Sequence, residues 1–298
     1  MEPTTITLEA EKLRRPQLCD DDLEAFRAWV DKQPHLPVVT DAELALFLHT
    51  CYYRLEAAKT ALDTYFTVRT HAPELFSERT LQYQDVHDSI TQVAQQLILP
   101  GESKDGYTVT LMKLKDTNPR AYSFTAAAKA WCALMEAWVA RTGTEEGLVC
   151  VMDVKGISLG HLAVNPSVMA KFFVYFQEAL PVKIQGLVFI NATSIMDQIL
   201  SLIKPFLKKE IVALIKTYKN SDALKDLLDK RYIPSDYGGS AKSVDALVET
   251  SVTLLKTYEG FLLQQEKRCV DESSRPGKAK TEGDLFGVQG SFKKLEFD

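Results

Sequence analysis

Residues 148–154 read Leu-Val-Cys-Val-Met-Asp-Val, and residues 186–191 read Gly-Leu-Val-Phe-Ile-Asn. Each is an apolar run of strand length, the pattern of a strand covered on both faces. Between them, residues 167–180 carry Phe172, Phe173, Tyr175 and Phe176 in a stretch long enough for a helix. Strand, helix and strand with short connections make a βαβ unit, which predicts a parallel sheet. Upstream, residues 107–113 (Tyr-Thr-Val-Thr-Leu-Met-Lys) read as another strand. Residues 126–140 read as an alanine-rich helix with Ala127, Trp131, Leu134 and Trp138 on one stripe and Gly143 as its stop. The expected class is α/β with a mostly parallel sheet.

The flanks differ. Asp20, Asp21 and Asp22 precede Leu23, Phe26, Trp29 and Val30, an acidic start to an amphipathic helix. Thr40 and Glu43 form a capping box ahead of Leu44, Phe47 and Leu48, and Leu55, Leu62, Tyr65 and Phe66 recur at helical spacing. The chain therefore divides into a helical N-terminal module (1–85), an α/β domain (86–250) and a C-terminal helix with a surface strap (251–298). The helix is expected over 244–267 and the strap from Leu285 to Phe297.

Residues 195–210 carry two adjacent apolar stripes, Ile195, Ile199, Leu202, Phe206 and Met196, Leu200, Ile203, Leu207. So broad an arc fits a helix buried between core and neighbours. It equally fits a lid with one stripe on an internal ligand and the rest meeting a membrane on opening. Lys204, Lys208, Lys209, Lys216 and Lys219 stand here against Glu210 alone, a local balance of +4 in a chain of net −5. They read either as a solvated face or as contacts to an anionic bilayer, where each lysine near the surface contributes about 1 kcal/mol.

Other classes are disfavoured. Net charge −5 argues against nucleic acid. The five cysteines are scattered, without a Cys-x-x-Cys, so neither a disulfide framework nor a cysteine zinc site is expected. The five histidines show no ligand spacing, and there is no Walker or dinucleotide loop. No apolar run reaches membrane-span length and the start lacks a signal-peptide core, so a cytoplasmic protein is expected. Gly156-Ile157-Ser158-Leu159-Gly160 matches the nucleophile-elbow pattern, but the last histidine is His161, three residues on. That leaves no room for the usual Ser, acid, His order, and a serine hydrolase remains only a remote alternative.

Five ordered segments resemble the CRAL-TRIO (Sec14-like) lipid-carrier family. They are Phe47-Leu48 with Tyr53, Leu55, Glu56, Lys59, Tyr65, Phe66 and Arg69; Asp153-Val154-Lys155-Gly156 with His161; Pro181 to Gly186 leading into Phe189-Ile190-Asn191; Lys204-Pro205-Phe206-Leu207; and Tyr237-Gly238-Gly239. The ending from Leu285 to Phe292 resembles the longer tails of arthropod members. The resemblance implies a helical module, then an α/β lipid-binding domain whose sheet floors a pocket beneath a mobile lid helix, here 195–207.

Strand alternation places Leu148, Cys150 and Met152 on one face and Leu187 and Phe189 on one face of the next strand. The resemblance turns these faces toward ligand. It gives Ala130, Leu134, Phe172 and Phe176 as walls and Met196, Ile199, Leu200, Ile203 and Leu207 as lid. Relatives carry arginines where this chain has His49 and Cys51, and a basic residue at Gln185. A phosphoinositide site would then rest on Lys183, Lys204, Lys208, Lys209, Lys216 and Lys219. The implied function is a carrier, not an enzyme, without cofactor or metal. It would hold one apolar lipid such as a tocopherol, retinoid, carotenoid or other isoprenoid, and meet an anionic membrane transiently as a peripheral protein. The alternative is a lipid- or phosphoinositide-regulated interaction protein.

Overall fold

The computed structural model describes residues 5–287. The N-terminal part is helical: α1 (Leu8–Arg14), α2 (Asp20–Val30), α3 (Asp41–Thr50), α4 (Leu55–His71), α5 (Pro73–Phe76) and α6 (Gln84–Asp88). The capping box starts α3 as expected. The Glu43 N–H donates to Thr40 Oγ1 at 3.2 Å, and the Thr40 N–H donates to the Glu43 carboxylate at 2.8 Å.

Five strands follow: β1 (Ala94–Glu102), β2 (Thr108–Leu114), β3 (Leu148–Asp153), β4 (Ile184–Ile190) and β5 (Ile215–Thr217). They lie in sequence order, β1 antiparallel to β2 and the remaining pairs parallel. The α/β class with a mostly parallel sheet is what the sequence predicts. Two strands it does not. In β1, Gln95, Gln96, Pro100 and Gly101 interrupt the apolar pattern, and β5 is three residues long inside a lysine-bearing stretch.

The crossover helices are α7 (Phe124–Thr142), α8 (Pro166–Val174, continuing as a π-helical turn to Ala179), α9 (Met196–Ile203) and α10 (Lys209–Val212). Each parallel step moves the same way across the sheet. Right-handed crossovers therefore stack all of these helices on one face. The other face is covered by residues 218–243, which include α11 (Ala223–Leu227). There Tyr237 Oη donates to Asp153 Oδ2 at 2.7 Å, and the Tyr232 ring lies against Gly101, where a Cβ would meet it at 2.6 Å. The chain closes with α12 (Val244–Thr257), packed against β1 and α7, then α13 (Glu259–Glu266) and α14 (Glu282–Phe286).

Three boundaries correct the sequence reading. The helix expected over 195–210 ends at Ile203. Pro205 has no N–H to continue the ladder, and a 3-10 turn, Lys204–Phe206, leads to an extended Leu207. The helix expected over 244–267 breaks at Tyr258, whose ψ of 14° leaves the helical range. Of the expected strap, Leu285, Phe286 and Gly287 fall in the described part. Phe286 is buried with its ring 5.6 Å from Lys171 Nζ; Val288 to Phe297 lie outside the described residues.

The N-terminal helices are joined to the sheet domain by close polar fitting. The buried Glu11 carboxylate accepts from both the N–H (3.2 Å) and the hydroxyl (2.5 Å) of Thr144. Gly143 sits beside it at φ 76°, and a Cβ there would collide with Glu11.

Candidate functional site

Register builds the site. Gln96, Met112, Met152 and Phe189 form one row across β1–β4; Thr110, Cys150 and Leu187 form the next, on the same face. This is the face covered by α7, α8 and α9. Between sheet and helices lies a cavity of about 150 Å³. Its boundary is almost wholly apolar: those strand residues below, then Phe124, Ala127, Trp131 and Leu134 from α7, Phe172, Phe173 and Phe176 from α8 and its π turn, and Ile199 and Ile203 from α9. Edge-to-face packing knits the wall. Trp131 meets Phe172 with centroids 5.6 Å apart at 74°, and Phe124 meets Phe172 at 5.7 Å and 85°.

Nine of the expected ligand residues border this cavity: Leu134, Cys150, Met152, Phe172, Phe176, Leu187, Phe189, Ile199 and Ile203. Five do not. Ala130 is buried off the Ala127, Trp131, Leu134 stripe of α7, and Leu148 lies at the start of β3, short of the cavity. Met196 and Leu200 pack elsewhere, and Leu207 has left the helix altogether. The sequence reading missed Gln96, Thr110, Met112, Tyr122 and Trp131. Thr110 and Met112 were readable by alternation along β2, and Trp131 from the α7 stripe. Gln96 needed β1 to be recognised.

A larger opening, about 420 Å³, lies between α3, α7 and α13. Its lining mixes Leu46, Phe47 and Val139 with the partly exposed Glu43–Arg268 ion pair, which an apolar guest would strip of solvent. The smaller cavity is the one suited to an apolar molecule.

The end of α9 is clasped by one side chain. Gln177 Nε2 donates to the Phe206 carbonyl at 2.9 Å, and Gln177 Oε1 accepts from the Lys208 N–H at 2.9 Å. Lys208 Nζ also lies 3.1 Å from Glu178. Beside it the Phe206 ring stacks on Phe173, centroids 6.3 Å apart.

Lys204, Lys208, Lys209, Lys216 and Lys219 are exposed around α9, α10 and β5. Lys183 precedes β4 as Lys208 and Lys209 precede the parallel β5, so these three lie toward the same end of the sheet, while Lys219 follows β5 at the other. The Lys183 ammonium lies 4.7 Å from the Tyr52 ring centroid, and burial lowers its pKa from the ordinary lysine value.

Ser158 and His161 are in contact, but as a turn. His161 Nδ1 accepts from the Ser158 N–H (3.1 Å) and faces its hydroxyl (2.9 Å), capping the 3-10 turn Leu159–Leu162. His161 Nε2 is buried with no partner among the described residues, so no carboxylate there completes a triad. No helix among the described residues is long and apolar enough to cross a membrane.

The CRAL/TRIO domain matches residues 94–239, and the Pinta-like, UBA domain matches residues 15–86. The mouse alpha-tocopherol transfer protein-like protein is 28% identical over 264 residues, covering 86% of this chain and 76% of that one. Mouse clavesin-1 is 22% identical over 251 residues, covering 80% and 70%. Among solved structures, the crystal structure of Sfh5 matches with a TM-score of 0.51 at 13% identity, covering 83% of this chain and 98% of that one.

Proposed function

This chain carries a CRAL/TRIO domain across residues 94–239, and from that premise we propose that it carries one apolar lipid, held between the sheet and α7–α9 and exchanged at membranes. The observation that supports this most is the position of the apolar cavity, on the face that every crossover helix covers and directly under α9. Each Å² of apolar ligand surface taken from water stabilises the complex by about 25 cal/mol. The resemblance to a tocopherol transfer protein-like relative favours a tocopherol, retinoid, carotenoid or related isoprenoid.

The cavity volume, about 150 Å³, is below the roughly 300–1,000 Å³ usual for ligand pockets. Admitting a long isoprenoid therefore requires α9 to move outward and the Phe172–Phe176 cluster to re-sort. Outward movement would present Leu200, Leu202 and Leu207 to lipid, flanked by the exposed lysines, which gives a peripheral membrane role. The test is extraction of the protein from its native source with mass spectrometry of the bound compound, followed by transfer between vesicles. One stoichiometric apolar compound and protein-dependent transfer are expected. Absence of both overturns the reading.

A further inference from the structure

The polar side chains bordering this largely apolar cavity are Gln96 of β1, Thr110 of β2 and Tyr122. Gln96 is 2% exposed. Its Nε2 donates to the Ala127 carbonyl at 2.8 Å, which fixes the amide, because turning it over would set two acceptors face to face. Gln96 Oε1 is then left buried with no hydrogen-bond partner among the described residues, and it borders the cavity. An unpaired buried carbonyl is costly, so a group that satisfies it is favoured by a comparable amount.

We propose that Gln96 Oε1 is the specificity-determining acceptor of this pocket, and that the ligand is an alcohol or phenol whose hydroxyl donates to it. The proposal rests on the carrier reading and narrows its ligand class. Thr110 and Tyr122 also border the cavity, but their hydroxyls both give and accept hydrogen and so do not discriminate. Among the lining side chains of the described residues, Gln96 Oε1 is the one oxygen that accepts without donating. It repels an aldehyde, ether or carboxylate oxygen and welcomes a hydroxyl. The remaining lining, from Leu134 to Ile203, offers such a ligand an apolar surround for its chain.

Two matched pairs of probes test this in the full chain: tocopherol with its methyl ether, and retinol with its methyl ether. Binding is followed by the fluorescence of Trp131, which borders the cavity. The parent protein is expected to prefer the free hydroxyl of at least one pair by about tenfold, the size of one hydrogen bond to a buried acceptor. Gln96→Met, similar in volume and without the acceptor, should bind both members at the ether's affinity. Equal affinity for alcohol and ether in the parent protein overturns the proposal and leaves the carrier reading standing; this comparison needs no variant to fold. Preference retained in folded Gln96→Met also overturns it. No binding of any probe overturns the proposal, while the carrier reading stands or falls on the extraction and transfer test.

Discussion

The Arg79 guanidinium lies 2.6 Å from the Glu136 carboxylate, and both side chains are buried. Arg69 of α4 pairs with the other carboxylate oxygen, and the hydroxyls of Tyr65 and Tyr175 donate to it at 3.2 and 3.3 Å. A second arginine on one carboxylate leaves an excess positive charge, which the Phe76 ring meets at 5.1 Å from Arg69 and 5.7 Å from Arg79. The cluster ties the N-terminal helices to α7, whose other side walls the cavity. Glu136→Gln should lower unfolding stability by roughly 3–5 kcal/mol, because it strands two buried cations. A urea midpoint that moves by less than the equivalent of about 1 kcal/mol would show that the cluster is dispensable.

Acid should destabilise the protein in two stages. Burial pushes His49 down to about 4, with the Glu145 carbonyl opposing and Lys183 and Arg15 reinforcing the shift. The unfolded imidazole, near 6.5, therefore binds a proton that the folded one refuses, and stability falls as pH drops from about 6.5 toward 4. For Glu136, burial alone would raise the carboxyl, but Arg69 and Arg79 outweigh it and hold it below its ordinary value of 4.5. Its share of stability is present above 4.5 and is lost as pH falls through the lower folded value. Urea midpoints from pH 8 to 3.5 should show both slopes, and His49→Gln should flatten only the upper one.

The Gln177 clasp holds the end of α9 to the π turn after α8. Gln177→Leu removes both hydrogen bonds while keeping the bulk. Lipid transfer between vesicles should become several-fold faster and ligand retention correspondingly shorter, since about 1 kcal/mol per hydrogen bond is lost from the closed form. Unchanged transfer with intact folding would mean that this end of α9 does not move during exchange.

Membrane contact made by the α9–β5 face should depend on the exposed Lys208 and Lys209 more than on the half-buried Lys183. Reversing both exposed lysines to glutamate should weaken binding to phosphatidylserine vesicles by at least tenfold at low salt, with the difference shrinking as salt rises. Lys183→Glu should weaken vesicle binding less than the double reversal, because Lys183 is half-buried against the Tyr52 ring while Lys208 and Lys209 are exposed. The reverse ranking would place the contact on the N-terminal side.

Cys150 offers a reporter on the pocket. Burial raises its thiol to about 12, while Cys19 and Cys269 are exposed. A thiol reagent at pH 8 should modify Cys19 and Cys269 promptly and leave Cys150 untouched. Anionic vesicles should accelerate modification of Cys150 if α9 opens there, and an added ligand should slow it. Peptide mapping by mass spectrometry reads each site separately, and a Cys150 rate indifferent to vesicles would count against opening.

Legibility followed burial symmetry. β3 and β4 are covered on both faces, so Leu148–Asp153 and Ile184–Ile190 announce themselves as apolar runs. β1 is antiparallel and carries two buried glutamines whose partners, Asp245 for Gln95 and the Ala127 carbonyl for Gln96, come from helices distant in sequence. No local pattern could discount their polarity. The lid stripe was legible as hydrophobicity, and its end was legible from Pro205, although the stripe alone suggested a longer helix.

Taken alone, the sequence determined the periodicities: a helical front, parallel strands joined by helices, an apolar segment after β4 and a lysine cluster beside it. These are local quantities, set by side-chain spacing and backbone chemistry within each element. Only the tertiary structure decided which residues share a cavity, that Lys183 comes to the same sheet end as Lys208 and Lys209, and that Gln96, with one buried oxygen unpaired, borders that cavity. Those depend on strand register and crossover hand, which bring residues far apart in the chain within a few ångströms, and no spacing within a single element encodes them.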